Sequence, residues 1–296
     1  MRICLLTDAP DHPLLSATAA LLAARHRVEF LDPDRSTGLV SSLVDRSALA
    51  DVYLLKAHTP RALALAHFLE RYGARVVNSA SVTELCQDRS RMAAAAARAG
   101  LPFPRTRTLA SLAELAAGAD GLDYPFMVKS RHSRRRDLVA RVDGPHQLRR
   151  MTAHWRNEPV VVQEFIPNSG WDHKLWVIAG EVFTALRPAK VGAPPPEEMP
   201  EPVVRELPPV WIDLARRVGT AFGLDIYGVD LLDRAGAPMI VDINSFPGIR
   251  GASGAPEALA ALAVRTGRLA APSPNGAPVK ALPLEHQYAH TPGEGR

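Results

Sequence analysis

Tyr227-Gly228-Val229-Asp230-Leu231-Leu232 and Met239-Ile240-Val241-Asp242-Ile243-Asn244, joined through Asp233-Arg234-Ala235-Gly236-Ala237, decide how this chain is read. Two apolar, β-type runs around a glycine-containing turn predict a hairpin with strands over 226–232 and 238–243. With the turn centred on Gly236, Asp230 faces Asp242 across the strands, and side-chain alternation puts Asn244 on the face of Asp242 with Ile243 on the other. Neighbouring carboxylates on apolar strands repel each other and are costly to desolvate unless positive charge lies between them. A hard divalent cation such as Mg²⁺ satisfies two carboxylates and an amide oxygen, and bridges to phosphates. The alternative is a pair of aspartates facing solvent at a sheet edge.

Working outward, helix 210–222 ending at Gly223 precedes this hairpin and helix 255–265 follows it. From Gly267 the chain is rich in Pro, Gly and Ala without apolar periodicity, so residues 267–296 are expected to form a disordered tail. The eight prolines of 188–209 predict an irregular surface loop. Before that loop, strands 173–179 and 181–186 flank Ala179-Gly180, a tight-hairpin signal. They carry Lys174 and Arg187, with Asp172 just ahead, which is either a cationic site or an ordinary cross-strand charge set. Further upstream lie strand 160–165, helix 145–156, strands 138–142 and 125–129, and a short helix at 111–117.

Strand 125–129 ends in Lys129 and runs into Ser130-Arg131-His132-Ser133-Arg134-Arg135-Arg136. A strand delivering a lysine beside a basic loop is a natural phosphate clamp. Arg134–Arg136 taken alone read equally well as a solvated charge run. Nucleic acid is not the expected partner, because aromatic side chains for base stacking are missing from this stretch.

The first hundred residues alternate strand and helix. Strands are expected at 2–7, 28–31, 51–56 and 75–77, and helices at 14–25, 60–72 and 81–99, the last ending at Gly100. That order defines a parallel α/β lobe. No glycine-rich dinucleotide or Walker loop follows any of these strands.

With 296 residues, 47% hydrophobic and 22% charged, the chain can build a sizeable core without staples. Cys4 and Cys86 show no metal or disulfide spacing, which points to a reducing cytoplasm, and no apolar run is long enough for a membrane span. The formal charge is +4 from 35 basic and 31 acidic residues, and of the basic residues only positions 56, 129, 174, 190 and 280 are lysine. A lysine inside a motif therefore stands out.

Together these pieces resemble the ATP-grasp enzymes from about residue 78 to 251. Asn78-Ser79, Asp88-Arg89 and Gly100-Leu101-Pro102-Phe103-Pro104-Arg105-Thr106 resemble the Asn, Asp-Lys and Gly-x-Pro-x-Pro-x-Thr segments of RimK-type glutamate ligases, with Arg89 in place of a customary lysine. Val128-Lys129-Ser130 resembles the second ATP-binding strand and Gln163-Glu164-Phe165-Ile166 the adenine hinge, with Asp172 at the ribose position. Asp230, Asp242 and Asn244 stand where the family holds its metal.

The resemblance implies an α/β and α+β molecule of the ATP-grasp fold. An N-terminal pre-ATP-grasp lobe would cover 1–80 and the ATP-grasp unit 81–266, with its small lobe at about 105–165. It further implies ATP and Mg²⁺ (Mn²⁺ able to replace it), Arg89 and Lys129 on the nucleotide, and Lys174 and Arg187 at the reacting phosphoryl group. The expected reaction joins a small-molecule or peptide carboxylate to an amine through an acyl phosphate. A homo-oligomer is compatible with this reading, and no membrane is involved.

Three departures bring in a second branch: Asp242 in place of a glutamate, no glycine in the loop after Lys129, and no Arg-Ser-Asn segment after the hairpin of 173–186, where the proline-rich 188–209 stands instead. Arg187-Pro188 and Asp242-Ile243-Asn244-Ser245-Phe246-Pro247-Gly248 also resemble the inositol polyphosphate kinases. For such a kinase the Arg131–Arg136 loop would meet an anionic substrate.

Overall fold

After Arg2, the run Ile3-Cys4-Leu5-Leu6 offers no polar side chain, as a strand covered on both faces requires, and it forms the middle of a parallel sheet. In this computed structural model, which describes residues 1–35, 49–168, 170–189, 191 and 207–269, β1 (Arg2–Leu6) lies between β2 (Arg27–Leu31) and β3 (Val52–Leu55). β4 (Val76–Val77) completes the order β2-β1-β3-β4. The crossover helices α1 (Pro13–Ala23) and α2 (Pro60–Arg71) each begin with proline, and the side chains of His12 and Thr59 cap their free N–H groups.

The helix expected over 81–99 is two helices, α3 (Ala80–Gln87) and α4 (Arg89–Arg98). Asp88 breaks it. Its backbone is extended, its carboxylate accepts from the N–H groups of Ser90 and Arg91 as the N-cap of α4, and it pairs as an isolated bridge with His132. The side-chain cap competes with continuing the helix and wins because Arg131 holds the carboxylate from the other side. Gly100, with φ +62°, ends α4 as expected.

A second, antiparallel sheet comprises β5 (Thr106–Leu109), β6 (Phe126–Ser130), β7 (Val139–Val142) and β8 (Val160–Glu164) in the order β5-β8-β6-β7. Leu112 and Leu115 of α5 (Leu112–Ala117) and Leu148 of α6 (Pro145–Trp155) bury its inner face against Val128 and Val160. The third sheet, β10-β9-β11-β12, joins β9 (Trp171–Ile178), β10 (Glu181–Pro188), β11 (Ile226–Arg234) and β12 (Ala237–Ser245). Both of its hairpins close through two residues with positive φ, Ala179-Gly180 and Ala235-Gly236.

Helix α7 (Pro209–Phe222) covers the third sheet, and α8 (Ala255–Arg268) packs back on the first, where Leu259 and Leu262 meet Ile3, Leu5 and Val52. Helix α8 runs three residues past the expected end at 265. Gly267, expected to open the tail, sits where a Cβ would come within 3.3 Å of Met1 Sδ, so its lack of a side chain serves close packing. Residues 270–296 of the expected tail and most of the proline-rich 188–209 lie outside the described residues. No helix among the described residues is long and apolar enough to cross a membrane.

Gly219 fixes β11 to α7. The Tyr227 hydroxyl donates to Ala215 O at 2.8 Å and accepts from Gly219 N–H at 3.1 Å, and a Cβ at 219 would fall 2.3 Å from that oxygen. Helix propensity alone favours Gly219→Ala by about 1 kcal/mol, whereas overpacking costs about 1–3 kcal/mol. Displacing the hydroxyl also strands buried polar groups, so steric conflict wins. Gly219→Ala is expected to lower stability by about 2 kcal/mol in urea unfolding; an unchanged or raised midpoint would contradict this packing.

Candidate active site

Asp230 pairs directly with Asp242, as the sequence predicts, but by a different route. The turn is Ala235-Gly236 rather than five residues centred on Gly236, a register that would place Asp230 opposite Val241. A β-bulge between Asp230 and Leu231 on one strand and Ile240 and Asp242 on the other restores the pairing. The extra residue is Val241, and its carbonyl accepts from Lys129 Nζ at 3.0 Å. The bulge thus sets the two aspartates opposite each other and frees an acceptor that draws in the lysine.

On the other side of β11, Lys174 of β9 is in register with Asp230 and donates to its Oδ1. Asn244 Nδ2 lies 3.4 Å from Asp242 Oδ2, so this amide shares the face of Asp242. Burial pushes the Asp230 carboxyl up; Lys174 pulls it down and Asp242 pushes it up again. Lys129, 8% exposed, is pushed down by burial, with Asp242 acting in the opposite direction. Two lysines therefore supply the positive charge that paired carboxylates need, and the donor set of two carboxylates and an amide oxygen is hard enough for Mg²⁺. Among the described residues no group of three or more His, Cys, Asp or Glu side chains could hold a metal, so a cation here would depend on the amide as its third protein ligand.

The sheet that carries Lys129 also carries the expected hinge. Gln163 is buried and donates to Thr106 Oγ1 at 3.0 Å across β5 and β8. Glu164 bridges to Arg234 at 3.1 Å, Phe165 stacks under the Arg141 guanidinium at 4.3 Å, and Ile166 is buried. Asp172 pairs in register with Arg187, whose guanidinium lies 5.1 Å from the Trp176 ring centroid.

One cleft of about 530 Å³ is lined by all twelve residues expected at the site: Arg89, Lys129, Gln163, Glu164, Phe165, Ile166, Asp172, Lys174, Arg187, Asp230, Asp242 and Asn244. That volume suits a small-molecule ligand. Arg89 enters it already engaged, donating to Ser130 O at 2.8 Å and Asp137 Oδ2 at 2.6 Å. The basic loop divides. Arg131 forms a forked pair with Asp88 and Arg134 one with Glu158, while Arg135 and Arg136 are exposed. Both carboxyls lie below the usual range: for Glu158 the Arg134 hydrogen bond is the largest cause, while for Asp88 burial raises it but the hydrogen bonds from Arg131 and the Arg91 N–H, with the charges of Arg131 and His132, together prevail.

Lys56 and His58, from the loop after β3, line the same cleft although the motifs did not single them out. A signal existed. Lys56 is one of five lysines and ends a strand of an open parallel sheet, the edge where such sheets bind ligands. Phe246, buried with φ +39°, turns the chain after β12 toward these two residues at a backbone cost of about 1–3 kcal/mol.

No family model matches the sequence. Over 99 residues the chain is 32% identical to the ribosomal protein bS6–L-glutamate ligase of Salmonella paratyphi B, covering 32% of this chain and 33% of that protein. The chain thus spans about a third of the length of the curated relatives it matches. The ATP-grasp RimK domain protein of Sphaerobacter thermophilus superposes with a TM-score of 0.70 over 90% of this chain and 99% of that one, at 22% identity. D-alanine–D-alanine ligase of Bacillus anthracis, solved with ATP, gives 0.67 over 90% and 98%, at 17% identity.

The three sheets and the cleft between them therefore define a protein of the ATP-grasp fold. Among its neighbours in that fold is a RimK domain protein, in line with the resemblance carried by Asp88-Arg89 and the Gly100–Thr106 segment.

Proposed function

We propose that the chain is a Mg-ATP-dependent ATP-grasp ligase that activates a carboxylate as an acyl phosphate and joins it to an amine. The observation that carries this reading is the single cleft lined by the hinge, both cationic strands and the paired aspartates. The bS6–glutamate ligase similarity and the ATP-bound ligase neighbour support it. In this reading Gln163 to Ile166 hold the adenine, Asp172 the ribose, and Lys129 and Arg89 the phosphates. Asp230, Asp242 and Asn244 hold Mg²⁺, which when bound neutralises charge on the transferring group. A division at 1–80 and 81–266, with a small lobe at about 105–165, goes with the same reading, and the buried free thiols of Cys4 and Cys86 suit a reducing cytoplasm.

The chemistry balances in two steps. A substrate carboxylate oxygen attacks the γ-phosphorus and ADP leaves, while Lys174 and Arg187 stabilise the oxygens that gain charge. The amine nitrogen then attacks the acyl carbon, the carbon–oxygen bond to phosphate breaks, and the amine proton passes to solvent. Lys174 is ion-paired with Asp230, which keeps its ammonium beside the carboxylates that would hold the cation and within the cleft that would hold the transferring group.

For the kinase alternative the basic loop is divided: Arg131 and Arg134 are paired with carboxylates, while Arg135 and Arg136 are exposed, so activity decides between the readings. Purified protein with Mg-ATP, screened against amino acids and peptides, is expected to release ADP and phosphate only when carboxylate and amine are both present. Transfer of the labelled γ-phosphate to a stable ester would sink the ligase reading.

A further inference from the structure

Lys56 leaves the C-terminal end of β3 with its backbone held by Leu6 O at 3.0 Å, and its ammonium lies 5.8 Å from the Phe246 ring centroid. It is half-buried, and no carboxylate among the described residues is in ion-pair contact with it. Burial lowers its pKa, and the charge that opposes this is Asp8, which is exposed. Lys129, in the same cleft, answers instead to Asp242, Arg89, Asp230 and Asp137. The two lysines enter one cavity from different sheets, Lys56 from the end of β3 in the parallel sheet and Lys129 from β6 in the antiparallel one.

The side chains packed around Lys56 are polar, and none among the described residues is a carboxylate in ion-pair contact with it. Gln87 Nε2 donates to His58 O at 2.8 Å and fixes that loop, and His58 Nε2 lies 3.5 Å from Ser245 Oγ. Burial, then Lys56, push His58 down to about 4, so it is neutral at pH 7. His12, near Gly248, is likewise lowered by burial, Lys56 and Arg250. An ammonium held in this way loses hydration while its opposing charge, Asp8, stays out of ion-pair contact, and a bound anion offsets that loss.

We propose that Lys56, with His58 and the turn Ser245–Gly248, binds a carboxylate of the non-nucleotide substrate, which is a dicarboxylic acid held at Lys56 by one end and activated at the other. This rests on the ligase reading, which supplies the reacting pole. A monocarboxylate would leave Lys56 without a counter-ion once the cleft fills.

The test is calorimetric titration of the full chain with glutarate and with butyrate, each with and without Mg-ADP. Glutarate is expected to bind wild type about tenfold or more tightly than Lys56→Met, with Lys56→Arg recovering most of the loss and Mg-ADP affinity unchanged in both variants. Failure of wild type to bind glutarate, equal binding by Lys56→Met, or butyrate binding as tightly as glutarate would each overturn the proposal. If wild type fails to bind Mg-ADP, the nucleotide reading falls instead, and the titration without nucleotide still judges Lys56.

Discussion

Asp242→Asn is expected to lower Mg-ATP turnover by about 10³-fold while leaving the protein at least as stable as wild type. On the proposed reading, the rate effect follows from removing one of the two carboxylates that would hold a cation worth several kcal/mol at the transferring phosphoryl group, at 1.36 kcal/mol per tenfold. The stability effect has the opposite sign. In the free protein Asp242 pushes Asp230 toward its protonated form, so a neutral amide at 242 relieves repulsion inside the hairpin. The Asn244 contact survives the change, because the new side chain still offers an oxygen. Turnover against Mg²⁺ concentration and thermal unfolding without metal separate the two effects. Turnover within tenfold of wild type would remove Asp242 from the site, and a large fall in Tm would turn the argument from chemistry to folding.

The hairpin that carries Asp242 shows what sequence can and cannot supply here. Residue type and alternation were enough to name Asp230, Asp242 and Asn244, because a strand has a period of two whatever its neighbours do. The turn was misjudged, and a bulge at Val241 cancelled the error. A bulge leaves no mark in a run such as Met-Ile-Val-Asp-Ile, and the group that uses its freed carbonyl, Lys129, lies 112 positions away in sequence.

The break at Asp88 has the same origin. Residues 81–99 read as one helix on local propensity, and the residues that end it, Arg131 and His132, lie across the fold. The division of the basic loop between ion pairs and exposed arginines was also illegible, because Asp88 and Glu158 flank it only in three dimensions. The α/β alternation, by contrast, depends on local apolar pattern and was readable from Ile3 to Val77, including Lys56 at a strand end, whose meaning required seeing the cleft.

Lys129→Met is likewise expected to separate activity from stability. Burial opposes the ammonium, and Met matches its length while removing that cost, which favours the variant. Against this, Val241 O loses its donor, a penalty of about 1–3 kcal/mol for a buried acceptor. The two terms oppose and are of similar size, so unfolding free energy is expected to stay within about 1–2 kcal/mol of wild type. Catalysis has no such offset: if Lys129 holds the phosphates as proposed, loss of that preorganised cation costs about 10²–10³-fold in rate. The pH profile supplies an independent check. Because burial lowers the pKa of Lys129 from its ordinary 10.5, the folded protein loses this cation at a pH where the unfolded chain still keeps it. Activity that needs the ammonium therefore falls on the alkaline side before pH 10.5, while the stability cost of holding it charged disappears as pH rises through the same point. Lys129→Met should lack that activity limb while its unfolding free energy in urea at pH 7 stays within about 1–2 kcal/mol of wild type. A variant with full activity, or one whose activity falls only in step with its stability, would show that Lys129 serves the bulge and not the nucleotide.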